Sequence, residues 1–316
     1  MVQWFKGNIH THTNESDGDS DPKTVVNFYV ESNYDFLVLS DHNHLTVLDY
    51  GNNHPDILMI PGEEVTIREP FNIHMGAIGI NSYVEPIYGN DSVDTIRANT
   101  NAIHSAGGIA VLNHPNFKWA LNDEIINKVK ELKFFEVFNG VSASNNLGGE
   151  DVKSMDEMWD ALLSNGKLIY GVATDDSHHY KNFSSLLSNP GRGWIMVKSD
   201  SRAQEDILDN FAKGNFYSST GVFISDIVKT PVGTTLNLFV NKPGLVIGRR
   251  GSGIRSLTEA LETKFNITNP QISVTEVKIP ELNAAIMASR LASSVQRGQP
   301  MRRAANWLTT LYRRCQ

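Results

Sequence analysis

The 316-residue chain has a single cysteine, Cys315, so no intrachain disulfide framework braces it, and a reducing, cytoplasmic setting is expected. No apolar run is long enough to span a bilayer and Met1 leads into no secretion signal, so no membrane partner is expected. Histidine is missing beyond His179, although the chain holds ten. Acidic residues are scarce near the end: residues 227–316 carry 13 Lys and Arg against 4 Asp and Glu, a net of +9. Residues 1–226 are the reverse, with 15 against 31, a net of −16. The overall charge of −7 thus conceals two parts suited to different partners, and two domains are expected, 1–226 and 227–316. Hydrophobic content of 40% is enough for a real core.

What the acidic part does have is histidines and carboxylates in a recurring place. His10-Thr11-His12 follows a short apolar run, and residues i and i+2 of an extended strand share a face. Both imidazoles are thereby aimed at one point, as two ligands of a metal must be. Apolar runs at 34–39, 57–60, 109–112, 134–138, 168–173 and 194–197 read as strands. Asp21-Pro22 starts a helix, and 91–106, 156–163 and 202–213 read as further helices. This alternation predicts an α/β fold with a largely parallel sheet. Most of the His, Asp and Glu candidates fall just past predicted strand ends. In a β/α barrel those ends share one rim, where active sites sit.

The motifs resemble the PHP family, named for polymerase and histidinol phosphatase domains. They are the H-x-H of His10 and His12, the S-D-G with Asp17, Asp41-His42, and Glu63 in G-E-E. After them come His74 before an apolar strand, His114-Pro115, and the D-x-H of Asp176 and His178. The resemblance implies a distorted seven-stranded (β/α) barrel carrying three divalent transition ions. His10, His12, Glu63 and Asp176 would hold the first. Glu63 would bridge to a second, also held by His74 and His114. Asp17, His42 and His178 would hold the third. Asp17, His42 and Glu63 are the expected catalytic members. Mixed imidazole and carboxylate donors suit Zn, Mn or Fe, and the lack of thiolates argues against a closed structural zinc site. Such a cluster activates a water as hydroxide and stabilises oxyanions on phosphorus or carbon.

His44, His54, His104 and His179 match no motif position and read as surface or core residues. Asp41 reads as a group that orients a ligand. Arg192, between Gly191 and Gly193, is the candidate for meeting a substrate phosphate. Local sequence at 4–12, 34–43 and 214–221 resembles the stand-alone metallohydrolases of the family, which mix phosphoesterases with carbamate and aryl-ester hydrolases. The shared ligands do not separate these chemistries.

The basic part changes character. Val246-Ile247-Gly248-Arg249-Arg250-Gly251 followed by Ile254 resembles the KH domain, whose G-x-x-G loop lets nucleic-acid backbone approach closely. Gly248, Arg249, Arg250 and Gly251 are the expected RNA contacts. Span 229–304 resembles the KH region of the archaeal and eukaryotic type of small-subunit ribosomal protein that carries it. The helix that should precede its first strand is replaced by hydrolase-like sequence, and the ribosomal protein's C-terminal domain is missing. A small α+β KH-like domain is expected, with strands at 223–228, 236–240 and 271–277 and helices at 254–265 and 283–295.

The favoured reading is a metal-dependent phosphoesterase fused to an incomplete KH module. A carbamate or aryl-ester hydrolase on the same barrel is the alternative chemistry. An RNA-binding or ribosome-associated protein with an auxiliary barrel is the alternative of another class.

Overall fold

The computed structural model describes residues 3–48, 54–230, 233–240, 242–264, 267, 269–277, 291 and 303. The chain divides into two compact units, Met1–Thr220 and Gly221–Gln316. Among the described residues no helix is long and apolar enough to cross a membrane.

The first unit is a mixed α/β fold. In chain order it runs β1 (Gln3–Asn8), α1 (Pro22–Glu31), β2 (Phe36–Leu37), β3 (Leu58–Met59), β4 (Gly62–Ile67), β5 (Ile73–Ile78), α2 (Ser92–Ser105) and β6 (Ile109–Leu112). It continues with α3 (Asp123–Asn127), β7 (Phe134–Asn139), α4 (Met155–Ser164), β8 (Tyr170–Thr174), β9 (Trp194–Ser199), α5 (Gln204–Ala212) and β10 (Phe216–Ser219). The helix starts follow from their caps. Asp21 accepts from Thr24 N–H ahead of Pro22, and Ser154 and Glu157 close a reciprocal capping box on α4.

Two five-stranded sheets form, in the orders β10-β9-β1-β2-β3 and β4-β5-β6-β7-β8. The expected largely parallel sheet is corrected to a mixed one. β1, β2 and β3 pair in parallel, as do β6, β7 and β8, but β4–β5, β5–β6, β1–β9 and β9–β10 are antiparallel. The reason is local: residues 62–67, to which the sequence reading gave no strand, form β4, and a short turn returns the chain as β5. Antiparallel neighbours need only such a turn, whereas parallel ones need a crossover. Two isolated parallel bridges, Thr11 with Ser177 and His42 with Glu64, join the margins of the two sheets.

The apolar cores explain which face of each strand is turned inward. Val65, Ile67, Ile73, Met75 and Leu112 pack with Ile96 and Ile103 of α2 and with Met158 and Leu162 of α4. Phe5, Phe36, Val38, Val172, Ile195 and Val197 pack with Ile207 and Phe211 of α5. Each such side chain contributes about 1.5–3 kcal/mol on leaving water.

The second unit holds β11 (Ile224–Thr230), β12 (Gly233–Val240), α6 (Pro243–Ile247), α7 (Ser252–Thr263) and β13 (Gln271–Glu276). β11 pairs antiparallel with β12, and β12 pairs parallel with β13. The expected strands at 223–228 and 236–240 correspond to β11 and β12, and Thr230 lies opposite Gly233. Of the expected helix at 283–295, residue 291 alone is among the described residues.

Candidate metal centre

β1 ends at Asn8, but the chain stays extended beyond it. His12 N–H donates to Ser177 O at 2.9 Å, and Asp176 N–H donates to His10 O at 3.0 Å. This short ladder brings two distant segments into one place. The His10 and His12 ring centroids are 5.2 Å apart, and their Nε2 atoms lie 3.2 and 3.1 Å from Asp176 Oδ1. His114 follows β6, with Nε2 3.8 Å from Asp176 Oδ2. Asp17 lies between His178 Nε2 at 3.3 Å and His42 Nε2 at 3.5 Å.

The carboxylate from G-E-E is a correction. Glu64, not Glu63, enters the cluster. Its Oε1 lies 3.1 Å from His10 Nε2, 3.3 Å from His114 Nε2 and 3.4 Å from His74 Nδ1. Its Oε2 lies 2.7 Å from His42 Nδ1. Within β4 neighbouring residues face opposite sides. Glu63 therefore shares its face with Val65 and Ile67, which belong to the apolar core. Its Oε1 accepts from Val84 N–H at 2.6 Å, and burial pushes its carboxyl up to about 7.

Four overlapping sets of donors result: His10, His114 and Asp176; His10, His12 and Glu64; His42, Glu64 and His74; and His12, Asp17, His42 and His178. Within each set the ligand atoms lie within 4.8 Å of one another. Of the nine metal candidates read from sequence, all but Glu63 are present. Among the described residues these sets contain none of His44, His54, His104 or His179.

Glu136 was not singled out from sequence. It is wholly buried and supports the site from behind. Its Oε1 lies 2.6 Å from His10 Nδ1 and accepts from Thr174 Oγ1 at 2.5 Å. Its Oε2 accepts from His114 N–H and from Asn139 Nδ2, both at 2.8 Å. The same Asn139 Nδ2 donates to Asp176 Oδ2 at 3.0 Å. Residues three apart on a regular strand face opposite ways. A register shift between Glu136 and Phe138 turns Asn139 to the same side, as a β-bulge does. The only sequence signal was an acidic residue inside an apolar strand. Asp41 orients rather than joins: its carboxylate accepts from Thr13 N–H at 2.7 Å, Thr13 Oγ1 at 2.8 Å and Ser16 Oγ at 2.7 Å, which sets the turn that carries Asp17.

The groups perturb one another strongly. Burial alone would push the His10 imidazole down, but Asp176, Glu136 and Glu64 outweigh it and hold it well above its ordinary value. Burial likewise opposes His42, yet Glu64 and Asp17 lift it to about 10. His12 is pushed down to about 4 by burial and by the neighbouring His178. Glu64 and Asp176 stay well below the usual carboxylate range, because the surrounding histidines outweigh burial.

The donors fit a cation better than they fit each other. His12 Nε2, His74 Nδ1 and Glu64 Oε2 are buried without a properly directed hydrogen bond, despite the short separations around them. Burying polar atoms unpaired is costly, and a divalent ion among imidazole and carboxylate donors removes that cost.

Arg192 is a second correction. Its guanidinium donates to Gly140 O at 2.7 Å, Ser184 O at 3.0 Å and Leu187 O at 2.5 Å, which commits it to holding loops together. In the second unit the G-x-x-G segment forms a tight connection between α6 and α7. Gly248 and Gly251 have φ of 70° and 77°, and a Cβ on Gly248 would lie 2.5 Å from Gly253 N. Arg249 and Arg250 are exposed.

Residues 208–282 match the KH domain family. The KH match begins within α5 and takes in β11, β12, α6, α7 and β13. Over 102 residues the chain is 40% identical to the small ribosomal subunit protein uS3 of Methanococcus aeolicus, covering 32% of this chain and 49% of that protein. Over 78 residues it is 50% identical to uS3 of Thermoplasma volcanium, covering 25% and 35%. The chain thus spans about half the length of these curated relatives, or less. One similar solved structure is a two-domain protein from Bacteroides vulgatus, described as containing a predicted PHP-like metal-dependent phosphoesterase. It is 18% identical with a TM-score of 0.49, covering 74% of this chain and 75% of that one. Another is the lesion-specific endonuclease PfuEndoQ from Pyrococcus furiosus, 10% identical with a TM-score of 0.45, covering 97% and 88%. Both scores lie below one half, so shared activity does not follow from them.

Proposed function

We propose that the first part of the chain, residues 1–226, is a metal-dependent phosphoesterase of PHP type and that residues 227–316 form an RNA-binding KH module. The observation that carries the hydrolase reading is the gathering of His10, His12, Asp17, His42, Glu64, His74, His114, Asp176 and His178 from seven separate chain segments, with unpaired buried donors among them. The reading includes a distorted seven-stranded barrel. Two isolated bridges support it: Thr11, beyond the end of β1, pairs with Ser177, beyond the end of β8, and His42, beyond the end of β2, pairs with Glu64 of β4.

Three ions, Zn, Mn or Fe, would suit the overlapping donor sets, two of which include Glu64. Cations held there would supply charge against the oxyanions that build up on phosphorus and the acidity that makes water a nucleophile near neutral pH. The chain's own residues prepare for this. Glu136, 2.6 Å from His10 Nδ1, would keep a proton on that nitrogen and so leave Nε2 to bind a cation in the cluster. The Asp176 carbonyl, 2.8 Å from His178 Nδ1, does the same for that ring. Asp17 is 53% exposed and marks the open side, where substrate enters.

The test is turnover of a phosphate-ester panel by the metal-loaded chain. Hydrolysis of phosphate esters is expected. Cleavage of carbamates or aryl esters instead would establish the alternative chemistry on the same ligands. The KH match favours a second activity, RNA binding through Gly248, Arg249, Arg250 and Gly251, with free RNA or a ribosome as the partner. Filter binding across a salt series tests it, and retention that is insensitive to both salt and RNA would reject it. A soluble cytoplasmic setting accords with the lone cysteine.

A further inference from the structure

We infer that Lys118 is the cation that receives the charged oxygens of an anionic ester at the cluster, so that the site prefers phosphate esters over neutral ones. This rests on the phosphoesterase reading above. Residues 1–226 carry a net charge of −16 and Asp17 stands exposed at the open side, so an incoming phosphate meets negative charge outside the cluster. Arg192 cannot offset this, because three carbonyls hold its guanidinium.

Lys118 lies four residues beyond His114, on a segment whose path is imposed from both sides. Phe117 N–H donates to His114 O at 2.8 Å and Leu121 N–H to Pro115 O at 3.1 Å. Buried Asn116 donates through Nδ2 to Asn145 O at 3.2 Å and Lys153 O at 2.9 Å. Between these anchors Lys118 and Trp119 take left-handed φ values of 51° and 56°, a conformation that neither residue type favours. The Phe117 ring centroid lies 5.4 Å from that of His114 and 5.6 Å from that of His74. Lys118 Nζ lies 5.5 Å from the same Phe117 centroid, one ring away from two cluster histidines.

Its partners are weak ones. Asn72 Oδ1 is neutral and 3.1 Å away, and Glu69, at 3.8 Å, is itself 74% exposed. A phosphate oxygen is a stronger acceptor, and the flexible lysine stem can turn to it. Lys181, three residues beyond His178, is the other lysine that closely follows a cluster histidine in the chain. It sits beside Asp19, whose carboxylate accepts the Lys181 backbone N–H at 3.3 Å and is stabilised by the lysine's charge.

The test compares Lys118→Ala and Lys118→Arg with the parent, all as metal-loaded full chains. Turnover is followed on p-nitrophenyl phosphate and on neutral p-nitrophenyl acetate, and inorganic phosphate binding is followed by calorimetry. For Lys118→Ala, KM for the phosphate ester and the phosphate Kd should both rise about tenfold, with kcat within about twofold and the acetate KM unchanged. Lys118→Arg should restore most of the phosphate affinity. An unchanged phosphate Kd in Lys118→Ala, or an equal rise in KM for both esters, overturns the assignment. If no phosphate ester is turned over by any of the proteins, the phosphoesterase reading fails, and the calorimetric comparison still decides whether Lys118 binds the anion.

Discussion

In the Met1–Thr220 unit, His10, Glu64, Glu136 and Asp176 are at most 5% exposed, whereas in the Gly221–Gln316 unit Arg249 and Arg250 stand in solvent. Both arrangements suit a charged ligand, but they differ in what holds them in place. Buried ionisable groups are costly unless neighbours compensate them, so each member of the cluster is tied to several others and to supports such as Glu136 and Asp41. Exposed arginines cost nothing to leave unpaired and need only a backbone that presents them, which the two left-handed glycines provide. Changing one buried donor should therefore disturb the whole centre, while changing the exposed pair should subtract only its own charge.

The largest expected effect lies at Glu64. Glu64→Gln should lower metal affinity at least about a hundredfold and remove ester turnover, because the group serves two donor sets at once. Its neighbour makes the contrast sharp: Glu63→Gln should keep both metal and turnover. Elemental analysis with steady-state rates measures both, and equal metal loss in the two variants would refute the assignment of faces in β4.

Next comes Glu136→Gln, which touches no cluster space yet removes the charge beside His10 Nδ1 and sets an amide NH2 against donors that now share two carboxylate oxygens. About a 10–100-fold loss of metal affinity is expected in a competition against a chelator. An unchanged affinity would mean that the His10 ring is oriented by its other neighbours.

For the exposed pair the effect should be smaller and separable. Arg249→Asp with Arg250→Asp should weaken RNA retention and lower the salt slope by about two, with metal content and ester turnover untouched. A joint loss of RNA binding and metal would break the contrast between the units.

The smallest effect is a pH dependence. Burial pushes Glu63 up to about 7, so the folded chain keeps a proton that the unfolded chain releases near 4.5. The stability contribution of this group is complete below about 4.5 and is lost as pH rises through about 7. Glu63→Gln should flatten the urea-midpoint profile across that window, by on the order of 1 kcal/mol. A parent profile already flat there would show that Glu63 is ionised in the folded state.

The sequence alone determined that histidines and carboxylates spread from residue 10 to residue 178 form a set, because their types and their places after apolar runs repeat. It also determined the G-x-x-G loop, which depends on short-range backbone chemistry. The sequence reading put Glu63 in the cluster where the structure puts Glu64, since adjacent strand residues are equivalent until a sheet has a core side. That Arg192 is used up on carbonyls and that Glu136 stands behind His10 were equally out of reach. Their partners lie 5 to 52 and 126 residues away in the chain, and only packing brings them together. Local chemistry settles what a residue can do; the tertiary structure decides which neighbours it has to do it with, because burial and hydrogen-bond satisfaction are properties of the whole fold.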